Sequence, residues 1–282
     1  MTGELWGRDW ELTIGTTCIT PRVGTPLDCA FEVEKSTGRE PNTAKVRVFN
    51  LGAERRQGLS SGDQIELKAG YTGLVETLFV GDARRVYHER SGEDIVTTLE
   101  ARDAGERYRT TRLDRGFTVN TPVITVVRAA VDAMGIGRGN LDTLASDLTI
   151  DNATAFAEGY TCDGPAWRVL DRLITSCGLR WSVQDGNLQL LRGREALATT
   201  AVRLASGTGL IGSPTRDAGA ARGRAQRQTV NAVAQLIPGL YPGRPVVLES
   251  SSISGSYRIK RVRYVGDNST NEWHAELTLE ER

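Results

Sequence analysis

Apolar and polar residues alternate with a period of two along the first hundred residues, which is the pattern of strands that bury one face. The alternation is clearest in residues 10–14, 29–33, 44–48 and 95–101. Turn-forming stretches with the sequences STGREPN, SSGD and RSGED lie between the strands. One buried face and one solvent-exposed face are typical of antiparallel sheets. The pattern therefore predicts a first β domain over residues 1–104, built as a small tube-like barrel or sheet.

The middle of the chain changes to helical spacing. One apolar face is formed by Val123, Val126, Val127, Ala130, Val131 and Met134, with Asn120 or Thr121 as the N-cap and Gly135 as the stop. A second face is formed by Ala166, Val169, Leu170, Leu173 and Cys177, with Asp163 as the cap and Gly178 as the end. Residues 179–190 then alternate on both sides of Asp185-Gly186, a tight-turn pair. We predict a small α+β insert, a helix-hairpin domain, over residues 105–195.

Strand-like alternation returns towards the C-terminus in TVNAVAQL, PVVLES, YRIKRVRYV and EWHAELTL. These stretches predict a second β domain over residues 196–282. Residues 216–228 are rich in Arg, Ala and Gly and have no apolar period, so we expect a mobile loop there. The predicted fold class is mainly β, with two related antiparallel domains flanking the insert.

The two β domains contain similar runs, GDQIELKAGYTGLVETLFVGDARRVYH and GRPVVLESSSISGSYRIKRVRY. Gly62 and Gly243 each follow a turn and open a strand, and a later strand carries RRV from Arg84 or KRV from Lys260. Two interpretations are open: two unrelated meanders, or two copies of one sheet unit. Because homo-oligomers are usually closed and symmetric, a trimer of a two-copy chain would present six similar units. Such a ring would match a sixfold partner on one face and a threefold partner on the other.

Composition narrows the class of function. The chain has 282 residues, of which 39% are apolar and 25% charged, and its 35 basic and 35 acidic residues give a formal charge of zero. A nucleic-acid binder usually has a basic excess, so tight phosphate binding is not expected. The sequence has no apolar run of 18 residues and no signal-peptide pattern at its start, so we expect neither a membrane span nor secretion through a leader.

Candidate catalytic and metal-binding residues are few. The four cysteines show no close pairing, and we expect all four to be small core residues: Cys18, Cys29, Cys162 and Cys177. His88 and His274 lie far apart and accompany no nucleophile turn or zinc-type spacing. The GIGRG stretch from Gly135 follows a predicted helix, whereas a dinucleotide loop follows a strand. We predict no enzymatic activity, no metal and no cofactor.

Three segments match one family in their order along the chain. They are CAFEVEKSTGREPNTAKVRVFNLGAERRQGL with SGDQIELKAGY and LFVGDARRV, then DGPAWRVLDRLITSCGLRWSVQDGNLQLL, and then TGLIGSPTR with LIPGLYPGRPVVLESSSISGSYRIKRVRYVGD. Together they resemble phage baseplate hub proteins, a family that includes the late control protein D group. The resemblance spans nearly the whole chain and rests on a diffuse pattern without a catalytic signature.

The resemblance implies a structural hub of a contractile tail, located in the virion baseplate and assembled in the host cytoplasm. Such a hub is a homotrimer that joins the hexameric tail tube protein to the trimeric central spike protein, contacts baseplate wedge proteins, and lines a channel through which DNA passes. Two alternatives remain open: a carbohydrate-binding tail-tip module and a peptidoglycan-degrading tail protein. Surface tryptophans would have to cluster in the first, and a pair of carboxylates would have to face a cleft in the second.

Interface residues are predicted only from charge and position. The candidates are arginines on the two repeated strands and in the loop: Arg84, Arg85, Arg261, Arg263, Arg222, Arg224 and Arg227. On strands they can be solvated or form salt bridges at an interface, and in a hub they can contact an acidic neighbouring subunit or lie beside DNA. Exposed strand edges invite pairing with other chains, so we expect sheet edges of neighbouring units to pair during assembly.

Overall fold

The computed structural model describes residues 7–21, 27–105, 107–217 and 229–282. The chain forms two compact units. One comprises Met1–Ser36, Asn42–Arg102 and Ala196–Arg282, and the other comprises Thr37–Pro41 and Asp103–Glu195. The three-domain division of the sequence, with boundaries after residues 104 and 195, stays a prediction.

The first part of the first unit contains seven strands and one short helix: β1 (Arg8–Ile14), β2 (Thr17–Ile19), β3 (Cys29–Ser36), β4 (Thr43–Phe49), α1 (Ala53–Gln57), β5 (Gln64–Tyr71), β6 (Leu74–Ser91) and β7 (Asp94–Arg102). Strand β6 is long: its first half pairs with β5 and its second half pairs with β7. The alternating pattern did not predict α1, because this helix buries none of its residues and so has no apolar face.

The second unit contains the helices and the hairpin that the sequence predicts for residues 105–195. It contains α2 (Arg107–Thr110), β8 (Arg115–Phe117), β9 (Thr121–Pro122), α3 (Val123–Met134), a 3-10 helix (Asp142–Asp147), β10 (Ala155–Phe156), β11 (Tyr160–Cys162), α4 (Ala166–Ser176), β12 (Leu179–Gln184) and β13 (Asn187–Arg192). The apolar faces of α3 and α4 pack with the β12–β13 hairpin in one core. Both predicted helices and the hairpin are confirmed, and Gly135 ends α3 in the left-handed conformation, with φ of 70°.

The predicted helix caps are wrong. Helix α3 begins after Pro122 and α4 begins after Pro165, and neither N-cap makes a side-chain hydrogen bond. Pro122 belongs to β9, whose pairing with β10 keeps the backbone extended up to the first helical residue. Asp163, the predicted cap of α4, accepts a hydrogen bond from Arg112 instead. The first helical N–H of each helix instead donates to a backbone carbonyl outside the helix: Val123 N–H to Thr154 and Ala166 N–H to Thr111, both at 2.9 Å.

Six further strands complete the first unit: β14 (Val202–Ala205), β15 (Leu210–Asp217), β16 (Thr229–Gln235), β17 (Pro245–Glu249), β18 (Ser254–Asp267) and β19 (Trp273–Glu281). They join β1–β7 in one 13-stranded sheet whose main path is β15-β16-β19-β18-β3-β4-β7-β6-β5-β1-β2. The mainly antiparallel class is confirmed. The strands described here form an open path, so of the predicted barrel or sheet they form a sheet.

The sheet has one continuous apolar core, which includes Trp10, Leu67, Phe79, Leu248 and Ile259. The expectation that all four cysteines are core residues is wrong. Cys29 and Cys162 are buried, Cys177 is half-buried, and Cys18 is exposed on the short strand β2. Cys18 precedes the buried Ile19 and therefore points to the opposite face of that strand. Burial raises the pKa of the Cys29 thiol well above its ordinary value.

Candidate assembly surface

The sheet is built from two copies of one five-stranded pattern, which we call the N-terminal copy (β3–β7) and the C-terminal copy (β15–β19). The N-terminal copy has the strand order β3-β4-β7-β6-β5, and the C-terminal copy has the order β15-β16-β19-β18-β17. All neighbouring strands within each copy are antiparallel. The same connectivity in both supports a duplication and disfavours two unrelated meanders.

Backbone hydrogen bonds repeat between the two copies. The Gly62 amide donates to the Ala83 carbonyl at 2.7 Å, and the Gly243 amide donates to the Ile259 carbonyl at 2.8 Å. Both glycines have a positive φ, of 98° and 88°. Glycine adopts this conformation without the steric cost that a side chain adds, which explains why both strands open with Gly.

A β-bulge lies at the same place in both copies. The pairing of β6 with β7 shifts between Ala83 and Arg85, and the pairing of β18 with β19 shifts between Ile259 and Arg261. The residue at the shift is Arg84 in RRV and Lys260 in KRV. The resemblance of these two triplets in the sequence therefore reflects a shared kink of the backbone.

One row of residues across each copy fixes the full equivalence. In the N-terminal copy the row runs through β6, β7, β4 and β3 as Asp82, Arg102, Thr43 and Glu34. In the C-terminal copy it runs through β18, β19, β16 and β15 as Arg258, Glu280, Thr229 and Asp217. Glu34 and Asp217 are therefore equivalent residues, on the outermost strand of each copy.

The strand that precedes each copy differs. Strand β1 pairs with β5 in the antiparallel direction, whereas β14 pairs with β17 in the parallel direction. The duplication therefore covers five strands per copy and does not extend to this added strand.

The two copies meet in a strand joint between β18 and β3, which we call the internal joint. Residues 261–267 of β18 pair with residues 30–36 of β3 in antiparallel register. At this position β18 lies between β19 of its own copy and β3 of the other copy. The internal joint thus connects the second half of β18, in the C-terminal copy, to β3, the outermost strand of the N-terminal copy.

Ion pairs cross the polar face of the internal joint. Arg263 Nε lies 2.7 Å from Glu32 Oε1, and Arg263 Nη1 lies 3.0 Å from Glu276 Oε2. Arg261 Nη2 lies 2.6 Å from Glu34 Oε2. The hydrogen bond from Arg263 lowers the pKa of Glu32, and the hydrogen bonds to Glu32 and Glu276 raise the pKa of Arg263. The arginines of this face are therefore largely neutralised within the chain.

The apolar face of the internal joint is closely packed. The rings of Phe31 and Trp273 meet edge to face at 5.3 Å, and Trp273 Nε1 donates to the Gly70 carbonyl at 3.0 Å. A Cβ atom added to Gly266 would lie 2.2 Å from the Phe31 ring. Gly266 is therefore the residue that lets the Phe31 ring lie against β18.

The structure brings together only some of the predicted interface arginines. Arg261 and Arg263 lie at the internal joint. Arg84 and Arg85 are exposed on β6, where Arg85 lies 3.5 Å from Glu100 and stacks 5.2 Å from the centre of the Tyr87 ring. Arg222, Arg224 and Arg227 lie outside the described residues, as does most of the predicted 216–228 loop. Residues 216 and 217, which we assigned to that loop, belong to β15.

Sequence reasoning missed Glu32, Glu34 and Glu276, the carboxylates that bind the predicted arginines. Their alternation with apolar residues on β3 and β19 gave the only signal, namely that they share the polar face. The pairing of β3 with β18 joins residues more than two hundred positions apart, which no local pattern reveals.

The two histidines, which were considered as catalytic or metal-binding residues, each lie next to a side chain of their own sheet. His88 Nδ1 lies 3.0 Å from Thr97 Oγ1, and His274 Nε2 lies 3.6 Å from Glu276 Oε1. In the described ranges, no group of three or more His, Cys, Asp or Glu side chains is arranged to hold a metal ion. The helices described here include none that is long and apolar enough to cross a membrane.

The GIGRG stretch packs against the β12–β13 hairpin. A Cβ atom at Gly139 would lie 1.7 Å from the Leu188 carbonyl oxygen, and one at Gly137 would lie 2.0 Å from Asn187 Oδ1. The glycines therefore allow the backbone to approach the hairpin closely. Gly135 ends α3, so each of the three glycines in GIGRG has a structural role.

Most tryptophans are unavailable as a sugar platform. Trp10, Trp181 and Trp273 are buried, and Trp167 is half-buried beside Arg168. Trp6 lies outside the described residues. The tryptophan side chains that the structure describes do not form the exposed cluster that a carbohydrate-binding module would require.

No protein-family model and no curated protein sequence matches this chain. Solved structures do match. The 43 kDa tail protein of prophage MuSo2 from Shewanella oneidensis matches with a TM-score of 0.67 and 11% identity, over 98% of each chain. A tail protein from Neisseria meningitidis MC58 matches with a TM-score of 0.65 and 10% identity, over 98% of this chain and 97% of that one. The fold is that of phage tail proteins.

A third match extends the comparison to a secretion system. The c3393 protein of E. coli is described as a component of the type VI secretion system with structural similarity to the T4 bacteriophage tail proteins gp27 and gp5. It matches with a TM-score of 0.61 and 13% identity, over 96% of this chain and 76% of that one. At these identities the matches establish a shared fold.

Proposed function

We propose that this chain is a structural baseplate hub of a contractile phage tail, of the kind represented by the late control protein D group. The shared fold with prophage tail proteins supports a place in the tail. The observation that carries the proposal is the internal joint, because it connects two equivalent sheet copies head to tail within one chain. The protein acts as a symmetry adaptor between the tail tube and the central spike.

The adaptor role follows from the number of copies. Two head-to-tail copies per chain and three chains give six similar sheet units around one axis, while the symmetry of the trimer remains threefold. The six sheet units would bind the hexameric tube protein, and the threefold features would bind the trimeric spike protein. The α+β insert occurs once per chain, so it presents three equal surfaces to the spike or to wedge proteins.

The proposed mechanism is geometric and involves no chemical reaction. DNA would pass through the ring during ejection, and phosphate contacts dominate the affinity of proteins for DNA. A chain without net charge, with arginines paired to glutamates at the internal joint, suits transit without tight binding. The proposed location is the virion baseplate, after assembly in the host cytoplasm.

Mass in solution tests the trimer. We expect native mass spectrometry or analytical ultracentrifugation of the full chain to give three times 30.7 kDa, alone or after co-expression with the proteins encoded by neighbouring genes. Images of the assembled particle should then show the trimer between tube and spike. A monomer in every one of these preparations would contradict the proposal, and sugar binding by that monomer would favour the tail-tip module.

A further inference from the structure

We infer that the second half of β6 pairs with β15 of a second copy of this chain, and that this contact repeats the internal joint between subunits. The inference rests on the proposed trimer and names the strands and the register that would form it. We call the contact the subunit joint. The two copies have equivalent strands in different surroundings, and the strands at the subunit joint are the equivalents of those at the internal joint.

The second half of β6 has one unpaired edge. Its equivalent, the second half of β18, pairs with β19 on one side and β3 on the other. The second half of β6 pairs with β7, and the described part of the chain places no strand on its other side. Residues 85–91 thus carry the same kind of edge that residues 261–267 use in the internal joint.

The complementary edge lies on β15. Its equivalent, β3, lies between β4 of its own copy and β18 of the other copy. Strand β15 pairs with β16 alone among the described strands. Each chain therefore has two complementary free edges, the second half of β6 in the N-terminal copy and β15 in the C-terminal copy. Pairing of one with the other between chains is a head-to-tail contact.

Side chains on the second half of β6 are more exposed than their equivalents on β18, as expected for a strand that lacks a neighbour on one side. Val262 and Tyr264 on β18 are 0% and 4% exposed. Their equivalents on β6 are Val86, which is half-buried, and His88, which is exposed. On β15, Ile211 is 43% exposed, which makes it one of two large apolar side chains exposed among the described residues. An added strand would cover part of this surface.

The equivalence of the copies gives the register. In the internal joint, Glu34 lies opposite Arg263, and Glu32 lies opposite Val265. Because Asp217 is equivalent to Glu34 and Tyr87 is equivalent to Arg263, Asp217 of one subunit would lie opposite Tyr87 of the next. Two residues further along, Thr215 would lie opposite Glu89.

Charges agree with this register. Arg261 binds Glu34 across the internal joint at 2.6 Å. Their equivalents are Arg85 and Asp217, which again have opposite signs. Among the described residues, the carboxylate nearest to Arg85 belongs to Glu100, at 3.5 Å, and Arg85 remains largely exposed. The subunit joint would thus give Arg85 the carboxylate that Arg261 already has.

Head-to-tail contacts produce a ring when the rotation between units closes, and a filament when it does not. The internal joint sets one such rotation within each chain. If the subunit joint repeats it, alternating internal and subunit joints continue one sheet from chain to chain, and the proposed trimer is the closed form with three of each.

Disulfide crosslinking tests the register. In a Cys18→Ser background, which removes the exposed native thiol, we would introduce Tyr87→Cys and Asp217→Cys together. Residues directly opposite on antiparallel strands have Cβ atoms about 4.5–5.5 Å apart, and diagonal residues are about 7–8 Å apart. Oxidation of the assembled protein should therefore yield covalent dimers and trimers, with roughly tenfold less from the diagonal pair Tyr87→Cys and Thr215→Cys.

Two controls make the result decisive. The pair Arg263→Cys and Glu34→Cys occupies the equivalent positions of the internal joint, so it should form a disulfide within the chain without raising the mass. A mixture of the Tyr87→Cys and Asp217→Cys single variants should form crosslinked pairs between the two variants. A trimer by mass that crosslinks only at the diagonal pair, or not at all while the internal control forms, would overturn the subunit joint and leave the proposed hub intact.

Discussion

The two copies of the sheet share a backbone pattern and differ in what surrounds it. At the same place in the row, the N-terminal copy has Asp82 opposite Arg102, and the C-terminal copy has Arg258 opposite Glu280, with the signs reversed. Arg102 is exposed, whereas Arg258 and Glu280 are 1% and 5% exposed. The duplication has kept opposite charges across these strands and has changed their order and their burial. What persists between the copies is the strand order, the bulge and the opening glycine.

The copies also differ in how many edges are covered. The internal joint covers the second half of β18, while the equivalent half of β6 is paired on one side only. A substitution in the second half of β18 therefore changes packing within the chain. The equivalent substitution in β6 changes a residue at an edge that is paired on one side only. Paired substitutions at equivalent positions separate the two contributions.

The largest expected effect is at the buried ion pair. Burial alone would raise the pKa of Glu280, but the hydrogen bond and charge of Arg258, 2.8 Å away, hold it below its usual value. Arg258→Met would leave this carboxylate buried without its main partner. Breaking one side of a buried pair costs about 3–5 kcal/mol, so we expect a loss of about 3 kcal/mol in the free energy of unfolding, measured with urea.

The matched control is Arg102→Met in the N-terminal copy. Because Arg102 is exposed, its removal should change the free energy of unfolding by less than about 1 kcal/mol. The double variant Arg258→Met with Glu280→Leu should recover most of the loss, since an apolar pair leaves no buried charge. Equal losses from Arg258→Met and Arg102→Met would contradict the contrast in burial between the copies.

A smaller effect is expected at the close approach in the internal joint. Gly266→Ala places a Cβ atom where the Phe31 ring lies, so the ring must move or the strands must separate. Overpacking of a filled site costs about 1–3 kcal/mol, and thermal unfolding should show a correspondingly lower midpoint.

Gly207→Ala is the control for this change. Gly207 has no heavy atom within 4 Å of the position of an added Cβ, and it has no positive φ. We expect the control to alter stability by no more than about 0.5 kcal/mol. If Gly266→Ala is equally mild, the Phe31 ring does not pack against β18 in the way described.

Much of the fold was predictable because it rests on local patterns. The alternation of Trp10, Leu12 and Ile14 predicted β1, and Gly135 and Gly178 predicted the ends of the two long helices. Helix α1 and the exposed Cys18 were not predicted, since a helix without a buried face has no apolar period and a small thiol fits either face of a strand. The helix starts were misplaced because each helix begins directly after a proline, Pro122 for α3 and Pro165 for α4, and not after the nearby polar residue that was predicted as the cap.

The candidate surface was predictable only in part. The RRV and KRV triplets pointed to the repeat, and a β-bulge lies at each of them. The partners of those arginines were not predictable, since Glu32 and Glu34 reach Arg263 and Arg261 through a strand pairing that spans most of the chain. Which edge meets which edge depends on the assembled sheet and has no signature within any one strand.

The smallest expected effect compares an arginine of the internal joint with its exposed counterpart on β6. The hydrogen bond from Arg263 lowers the pKa of Glu32 from its ordinary value of 4.5. A carboxylate with a lowered pKa in the folded state adds stability that is complete above its unfolded pKa and is lost as the pH falls through its folded pKa. Arg263→Met should therefore raise the pKa of Glu32, which carboxyl NMR titration measures directly.

The same change should be visible in stability. Glu32 is 44% exposed, so solvent screening limits the loss to about 1 kcal/mol or less at pH 7. The part of the loss that comes from Glu32 should shrink towards zero as the pH falls through its lowered pKa, because protonation removes from the wild-type protein an interaction that the variant already lacks. Arg85→Met in the unassembled chain should produce a smaller difference at pH 7, since Arg85 lies 3.5 Å from Glu100 and no hydrogen bond joins them among the contacts described. A loss at Arg263 that is independent of pH would indicate packing by the arginine stem, and the electrostatic account of the internal joint would then be wrong.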